Sequence, residues 1–224
     1  MKKKTRWPIY LIIGLIVTFI AFTVPLPYYI EVPGTSEDIR KVLQVNNQPD
    51  QEEGSYQFVT VGVKHARMVD LVYAWLTPFT DIRSAKEMTG GSSDAEFMRI
   101  NQFYMETSQN MAKYQGLKAA GKEIELKYLG VYVLTVTDNS TFKGILNIAD
   151  TVTAVNDKTF ESSKEMVDYV NSQTLGDKVK VTYQEDGKVK TAEGKIITLE
   201  NGKNGIGIGL IDRTEVSSDV PIKF

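Results

Sequence analysis

Cysteine is absent from the 224 residues, and histidine occurs once, as His65. The first absence excludes disulfides, thiol nucleophiles and thiolate zinc sites, and leaves the redox compartment open. The second excludes a His-rich metal centre. With no carboxylate or Cys pattern beside it, His65 reads as a structural or exposed residue, not a ligand or base. No cofactor and no metal are expected. Charge of one sign is also missing overall, with 26 basic against 28 acidic residues. What is present is apolar: 42% hydrophobic, with nine Phe and eleven Tyr. That argues against a largely disordered chain, which would lack the apolar area to offset its ordering entropy.

The balanced net charge of −2 conceals a local asymmetry. Lys2, Lys3, Lys4 and Arg6 come first, followed by an uncharged run from Trp7 to Leu26. Without those four the remainder has 22 basic and 28 acidic residues, a formal −6, which argues against nucleic-acid binding. A membrane core of about 30 Å needs roughly 20 helical residues. Ile9–Leu26 is just long enough, and Pro25 and Pro27 stop the helix because neither donates a backbone hydrogen bond. Trp7, Tyr10, Tyr28 and Tyr29 fall near the two expected interfaces. A cleaved signal peptide has the same order of charge and apolar run, but the exit Phe22-Thr23-Val24-Pro25 has no small-x-small cleavage site. The reading is a basic cytoplasmic segment over 1–8 and a single-pass transmembrane helix over 9–26 in contact with the lipid bilayer. The four leading cations orient it with the ectodomain outside the cell membrane.

The expected fold class is α+β: the transmembrane helix, a mixed α/β ectodomain region over 27–120, and a small antiparallel β-domain with a flanking helix over 121–200. In the first region, Tyr28–Val32, Ile39–Val45 and Tyr56–Val63 read as strands separated by turn residues. Helices are predicted over about 66–76 and 94–115, the second opened by Ser93-Asp94-Ala95-Glu96, a capping box. That helix carries Phe97, Ile100, Tyr104 and Met111 on one side, and Met98, Met105 and Met111 read as core filler. In the second region, Val131–Val136 and Asp150–Val155 are strands and Ser163–Ser172 an amphipathic helix. Val179–Tyr183 and Lys188–Ile197 form a hairpin over Asp186-Gly187.

The order and wording of this second region resemble a PDZ domain of the bacterial secreted-protease type. The residues that carry the resemblance are Tyr128-Leu129-Gly130-Val131, Gly144-Ile145-Leu146 and Asp150-Thr151-Val152-Thr153-Ala154-Val155-Asn156. Ser162-Ser163-Lys164-Glu165 and Gly176-Asp177-Lys178-Val179 complete it, while Ala149 stands where Gly is usual. Pro27–Gly34, Phe58–Val63 and the tail from Gly205 to Phe224 are similar to the YlbL/SepM-type membrane-anchored, PDZ-containing Lon-like serine proteases of Gram-positive bacteria. The resemblance implies a Ser–Lys peptidase acting on extracytoplasmic peptides or proteins, peptide pheromones among them. It also implies that 201–224 is a junction to a catalytic domain downstream. The family's Gly-Pro-Ser-Ala-Gly nucleophile segment and its Lys are not in residues 1–224, so no catalytic residue is assigned and this chain alone is expected to be inactive as a peptidase. The alternative is a non-catalytic, membrane-tethered PDZ adaptor that binds C-terminal or extended peptides.

A PDZ domain takes an extended peptide as an added strand on a sheet edge. The resemblance places that edge on 131–136, with Tyr128, Leu129, Gly130, Val131, Tyr132 and Val133 as peptide-binding residues and Gly130 allowing close backbone approach. Met166, Val167 and Val170 of the helix complete the expected site. The Gly205-x-Gly207-x-Gly209 run lacks the context of a dinucleotide loop and reads as a glycine-rich strand and junction.

Overall fold

The computed structural model describes residues 7–224, so Lys2, Lys3, Lys4 and Arg6 lie outside the described residues. The chain divides into two compact units, residues 1–93 with Lys223 and residues 94–222 with Phe224.

The first unit opens with helix α1, Trp7–Thr23, every residue of it apolar, Gly, Pro or Thr and none of it buried. Thr23 closes it by donating its hydroxyl to the Phe19 carbonyl at 2.7 Å. Strand β1, Pro25–Asp38, begins immediately afterwards and runs antiparallel to β2, Gln57–Arg67, with Pro25 opposite Arg67. This corrects the expected helix over 9–26: the two prolines and the pairing with Arg67 draw residues 25 and 26 into the sheet. Seventeen residues reach about 26 Å at 1.5 Å each. Among the described residues no helix is long and apolar enough to cross a membrane.

Strand β2 leads directly into α2, Met68–Leu76, and a short β3, Asp81–Ser84, lies on the other side of β1. Ser84 caps α3, Ala85–Thr89, through a reciprocal pair with Glu87. The expected strand Ile39–Val45 is instead a 3-10 turn over Ile39–Lys41 and a two-residue strand, Gln44–Val45. Asp38 accounts for the turn, because its carboxylate accepts from the Arg40 N–H at 2.9 Å and holds the Arg40 guanidinium, which offers the backbone a local alternative to a ladder. The apolar interior of this unit is Tyr29, Ile30 and Ala66, with the His65 ring tilted 31° against Tyr29 at 4.3 Å between ring centres.

The second unit begins with α4, Asp94–Ala119, starting where the capping-box residues place it. Its sheet consists of β4 (Glu125–Val136), β5 (Thr151–Val155), β6 (Lys178–Glu185), β7 (Lys188–Lys195) and β8 (Ile208–Ser217). The order is β8-β4-β5-β6-β7, all antiparallel. Helix α5, Ser163–Asn171, closes one face, its first turn capped by Ser162 accepting from the Glu165 N–H. Alternation sends Val131 with Val133 and Val179 with Val181 to one core, and the register shift between Val152 and Ala154 lets Val155 join Val152 there, with Phe142, Leu146, Met166, Val170, Tyr183, Ile196 and Ile206. Tyr132, one residue out of phase, points to the opposite face and stacks on Phe103 of α4 at 3.8 Å.

The face of α4 differs from the expected one. Phe103 and Leu117 are its buried residues, while Met98 and Met105 are exposed at 68% and 60%, so they do not fill a core. A long helix laid across a sheet touches it along a narrow stripe, and here the stripe includes Asn110, whose amide donates to the Thr214 carbonyl.

Candidate functional site

Strand β4 has neighbours on both edges. Val131 faces Val152 of β5 and Asp212 of β8; Tyr132 faces Thr151 and Ile211; Val133 faces Leu210. The expectation of an open edge over 131–136 is therefore corrected, because a strand from the end of the chain occupies it. Gly130 does allow a close approach, but to its own chain: it sits at φ +134°, and a Cβ there would collide with the Val152 carbonyl oxygen. Val131 and Val133 are core residues, Tyr132 lies against α4, and Leu129 is half-buried on the same strand. Tyr128 packs at the rim of the core. Its phenol is pushed up to about 12 by burial, then by the charges of Asp212 and Glu165.

The open edge belongs to β8, the end strand of the sheet, which runs beside α5. Between them lies a small cleft of about 50 Å³ lined by Val167, Val170, Leu199, Ile206, Ile208 and Leu210. Period-two alternation within β8 puts Ile208 and Leu210 on one face, and Ile206, just before the left-handed Gly207, completes the lining. Of the helix residues expected at the site, Val167 and Val170 line the cleft, whereas Met166 is 2% exposed in the core.

The cleft is held at both ends. Asp212 accepts from the Ser163 N–H at the start of α5 at 2.7 Å, and the Asn204 amide donates to the Gln173 carbonyl at 2.7 Å. At the second end, Ile197–Thr198 pairs with Asn204–Gly205, and Gly205, Ile206 and Gly207 are buried. The Ile206 carbonyl accepts from the Ser140 hydroxyl at 2.6 Å, and the Gly207 carbonyl from the Thr137 N–H at 2.9 Å. No backbone carbonyl of the described residues accepts from the Ile206 or Gly207 N–H. Gly207 has φ +74°, and a Cβ there would lie 2.6 Å from Thr137 Oγ1 and 2.8 Å from Ser140 Cβ. Successive N–H groups without a backbone acceptor, beside a left-handed residue, are the kind of backbone arrangement from which anion-binding sites are built.

Gly205, Ile206, Gly207, Ile208, Leu210 and Leu199 are thus the residues sequence reasoning missed. The signal was the strict Gly-apolar alternation from Gly205 to Leu210, whose apolar residues collect at the cleft although the left-handed Gly207 separates Asn204–Gly205 from β8.

Residues 102–196 match the PDZ domain family, and the chain belongs to it through this domain. Among solved structures, the PDZ domain of the SdrC-like protein from Listeria monocytogenes is 35% identical, covering 39% of this chain and 93% of that one at a TM-score of 0.37. The PDZ domain of the SdrC-like protein from Listeria innocua is 38% identical, covering 36% and 92% at 0.35. A solution structure from Geobacillus thermodenitrificans is 30% identical, covering 36% and 94% at 0.33. No curated protein matches the chain. PDZ domains are peptide-binding modules that add an extended peptide to a sheet edge.

Proposed function

We propose that the chain is a membrane-tethered module that captures the C-terminal tail of an extracytoplasmic peptide or protein in the cleft between β8 and α5. The outer edge of β8, beside the Ile206 and Gly207 N–H groups that no backbone carbonyl of the described residues engages, carries this reading. The tail pairs with β8 as a sixth strand, its carboxylate meets the two N–H groups, and its last side chain enters the apolar cleft. Room of about 50 Å³ suits one small aliphatic side chain.

The tether is α1, none of whose residues is buried, with Lys2, Lys3, Lys4 and Arg6 keeping the N-terminus cytoplasmic and the ectodomain outside. In this reading the chain supplies the anchor and substrate-presenting portion of a Lon-like serine protease, as the resemblances over Pro27–Gly34, Phe58–Val63 and Gly205–Phe224 suggest.

Fluorescence anisotropy on the detergent-solubilised chain tests the cleft, using labelled peptides ending in Ala or Val with a free or an amidated carboxyl. Amidation removes charge-assisted hydrogen bonds and should weaken binding about tenfold or more, roughly 1.4 kcal/mol. Leu210→Glu should abolish binding while leaving the far-ultraviolet circular dichroism unchanged. Equal affinity for both peptide forms, or unaffected binding by the Leu210 variant, overturns the proposal.

A further inference from the structure

Helix α2 is folded inside out. Its one charged residue, Asp70, is the residue it buries: the carboxylate accepts from the Lys64 ammonium at 2.9 Å and from the Arg67 N–H at 2.8 Å. The apolar residues face outward, with Met68 52%, Val72 56%, Trp75 84% and Leu76 68% exposed. Phe79, in the turn that follows, is 89% exposed at φ +59°, a backbone conformation bulky residues rarely adopt. A surface helix in water shows the reverse arrangement.

Position identifies what covers this face. Pro25, two residues beyond α1, is paired with Arg67, one residue before α2, so the helix starts at the foot of α1 and packs against it. The two apolar surfaces are continuous. At nine residues α2 is far too short to span a bilayer, which needs roughly 20. Tyr73 and Trp75 are the amphipathic aromatics favoured where hydrocarbon meets headgroups, Phe79 adds exposed apolar area, and the exposed Arg67 stands at the same end as the foot of α1.

We infer that α2 and its following turn, Met68 to Phe79, form a second membrane contact, an interfacial helix that sinks its Trp75–Leu76–Phe79 edge into the bilayer surface beside α1. This rests on the tether reading, and it adds that the first unit lies down on the membrane instead of standing off on a flexible stalk. Such helices sit at the boundary of headgroups and acyl chains, held by apolar area and basic residues.

Two tryptophans, Trp7 and Trp75, allow the two membrane contacts to be read separately. The full chain is reconstituted as Trp7→Phe or Trp75→Phe in phosphatidylcholine–phosphatidylglycerol vesicles whose acyl chains carry bromine near the headgroup or near the chain end. In the Trp7→Phe protein, shallow bromine should quench Trp75 about twofold or more, and more strongly than deep bromine, as expected for an interfacial helix. Adding Leu76→Glu and Phe79→Glu should remove most of that quenching and leave Trp7 quenching in the other protein intact. Quenched Trp7 with unquenched Trp75 overturns the inference while sparing the tether. A Trp75 that is shielded from iodide yet unquenched by lipid overturns it in favour of a protein partner or a second copy. If neither tryptophan is quenched, the tether reading and this inference both fall.

Discussion

The two units spend their apolar residues in opposite ways. Residues 94–222 gather thirteen buried side chains into one cluster, nine-tenths or more hidden, under a five-stranded sheet and a helix. Residues 7–93 hide Tyr29, Ile30 and Ala66 and expose Val59, Val61, Val72, Trp75, Leu76 and Phe79, besides nearly all of α1. Since apolar burial is the main favourable term in folding, the first arrangement is self-sufficient. The second leaves most of its large apolar side chains outside any interior of its own. Exposed apolar area on this scale marks an interaction surface, not a monomer in water.

The largest test of this contrast is Phe142→Ala. Phe142 is fully buried in the PDZ core, and its loss should cost about 3–5 kcal/mol. Amide hydrogen exchange on the full chain should show protection collapsing in β4 to β7 while β1 and β2 keep theirs. Equal loss in β1 and β2 would mean that the two units depend on one core.

A smaller effect is expected at Gly130, where the interior position of β4 is at stake. Gly130→Ala places a Cβ against the Val152 carbonyl at φ +134°, a strain of about 1–3 kcal/mol. Chemical denaturation should register it as lost stability of the PDZ unit. A neutral result would show β4 and β5 further apart than described.

The smallest effect is electrostatic, and it has opposite signs in the two units. Burial raises the Asp70 carboxyl, but hydrogen bonds from Lys64 and the Arg67 N–H outweigh it and hold the group below its ordinary 3.8. Its contribution is complete above that value and is lost as pH falls through the lower folded pKa. Asp150 is 3% exposed, and burial pushes it above 3.8 despite the Asn147 N–H that it accepts. Its folded form binds the proton more tightly, so the PDZ unit loses stability as pH rises from 3.8 through the raised value. Asp150→Asn should flatten that slope in pH-dependent melts, and Asp70→Asn should flatten the opposite one in the first unit.

Elements governed by neighbouring residues were legible in the sequence. Ser162 and the apolar spacing of Met166 and Val170 marked α5, and Asp186-Gly187 marked the β6–β7 turn. Where side chains compete with the backbone, as Asp38 does with Arg40, the expected strand gave way to a turn. The outward methionines of α4 were misread because its stripe against the sheet is narrow and partly polar. The open edge was misplaced for a different reason. Val131–Val136 and Ile208–Leu210 both read as strands, and nothing local tells which of them ends the sheet.

Composition and spacing alone determined that a basic, apolar leader precedes a mixed region and a small β-domain with one flanking helix, because charge, periodicity and turn chemistry act over a few residues, while the PDZ reading came from the resemblance of its motifs. Only the tertiary structure decided that β8 closes over β4 and offers its own edge, and that α2 turns its apolar side outward. Both depend on pairings between distant parts of the chain, Asp212 with Val131 and Pro25 with Arg67, and such pairings are fixed by the collective fit of strands and not by any one segment.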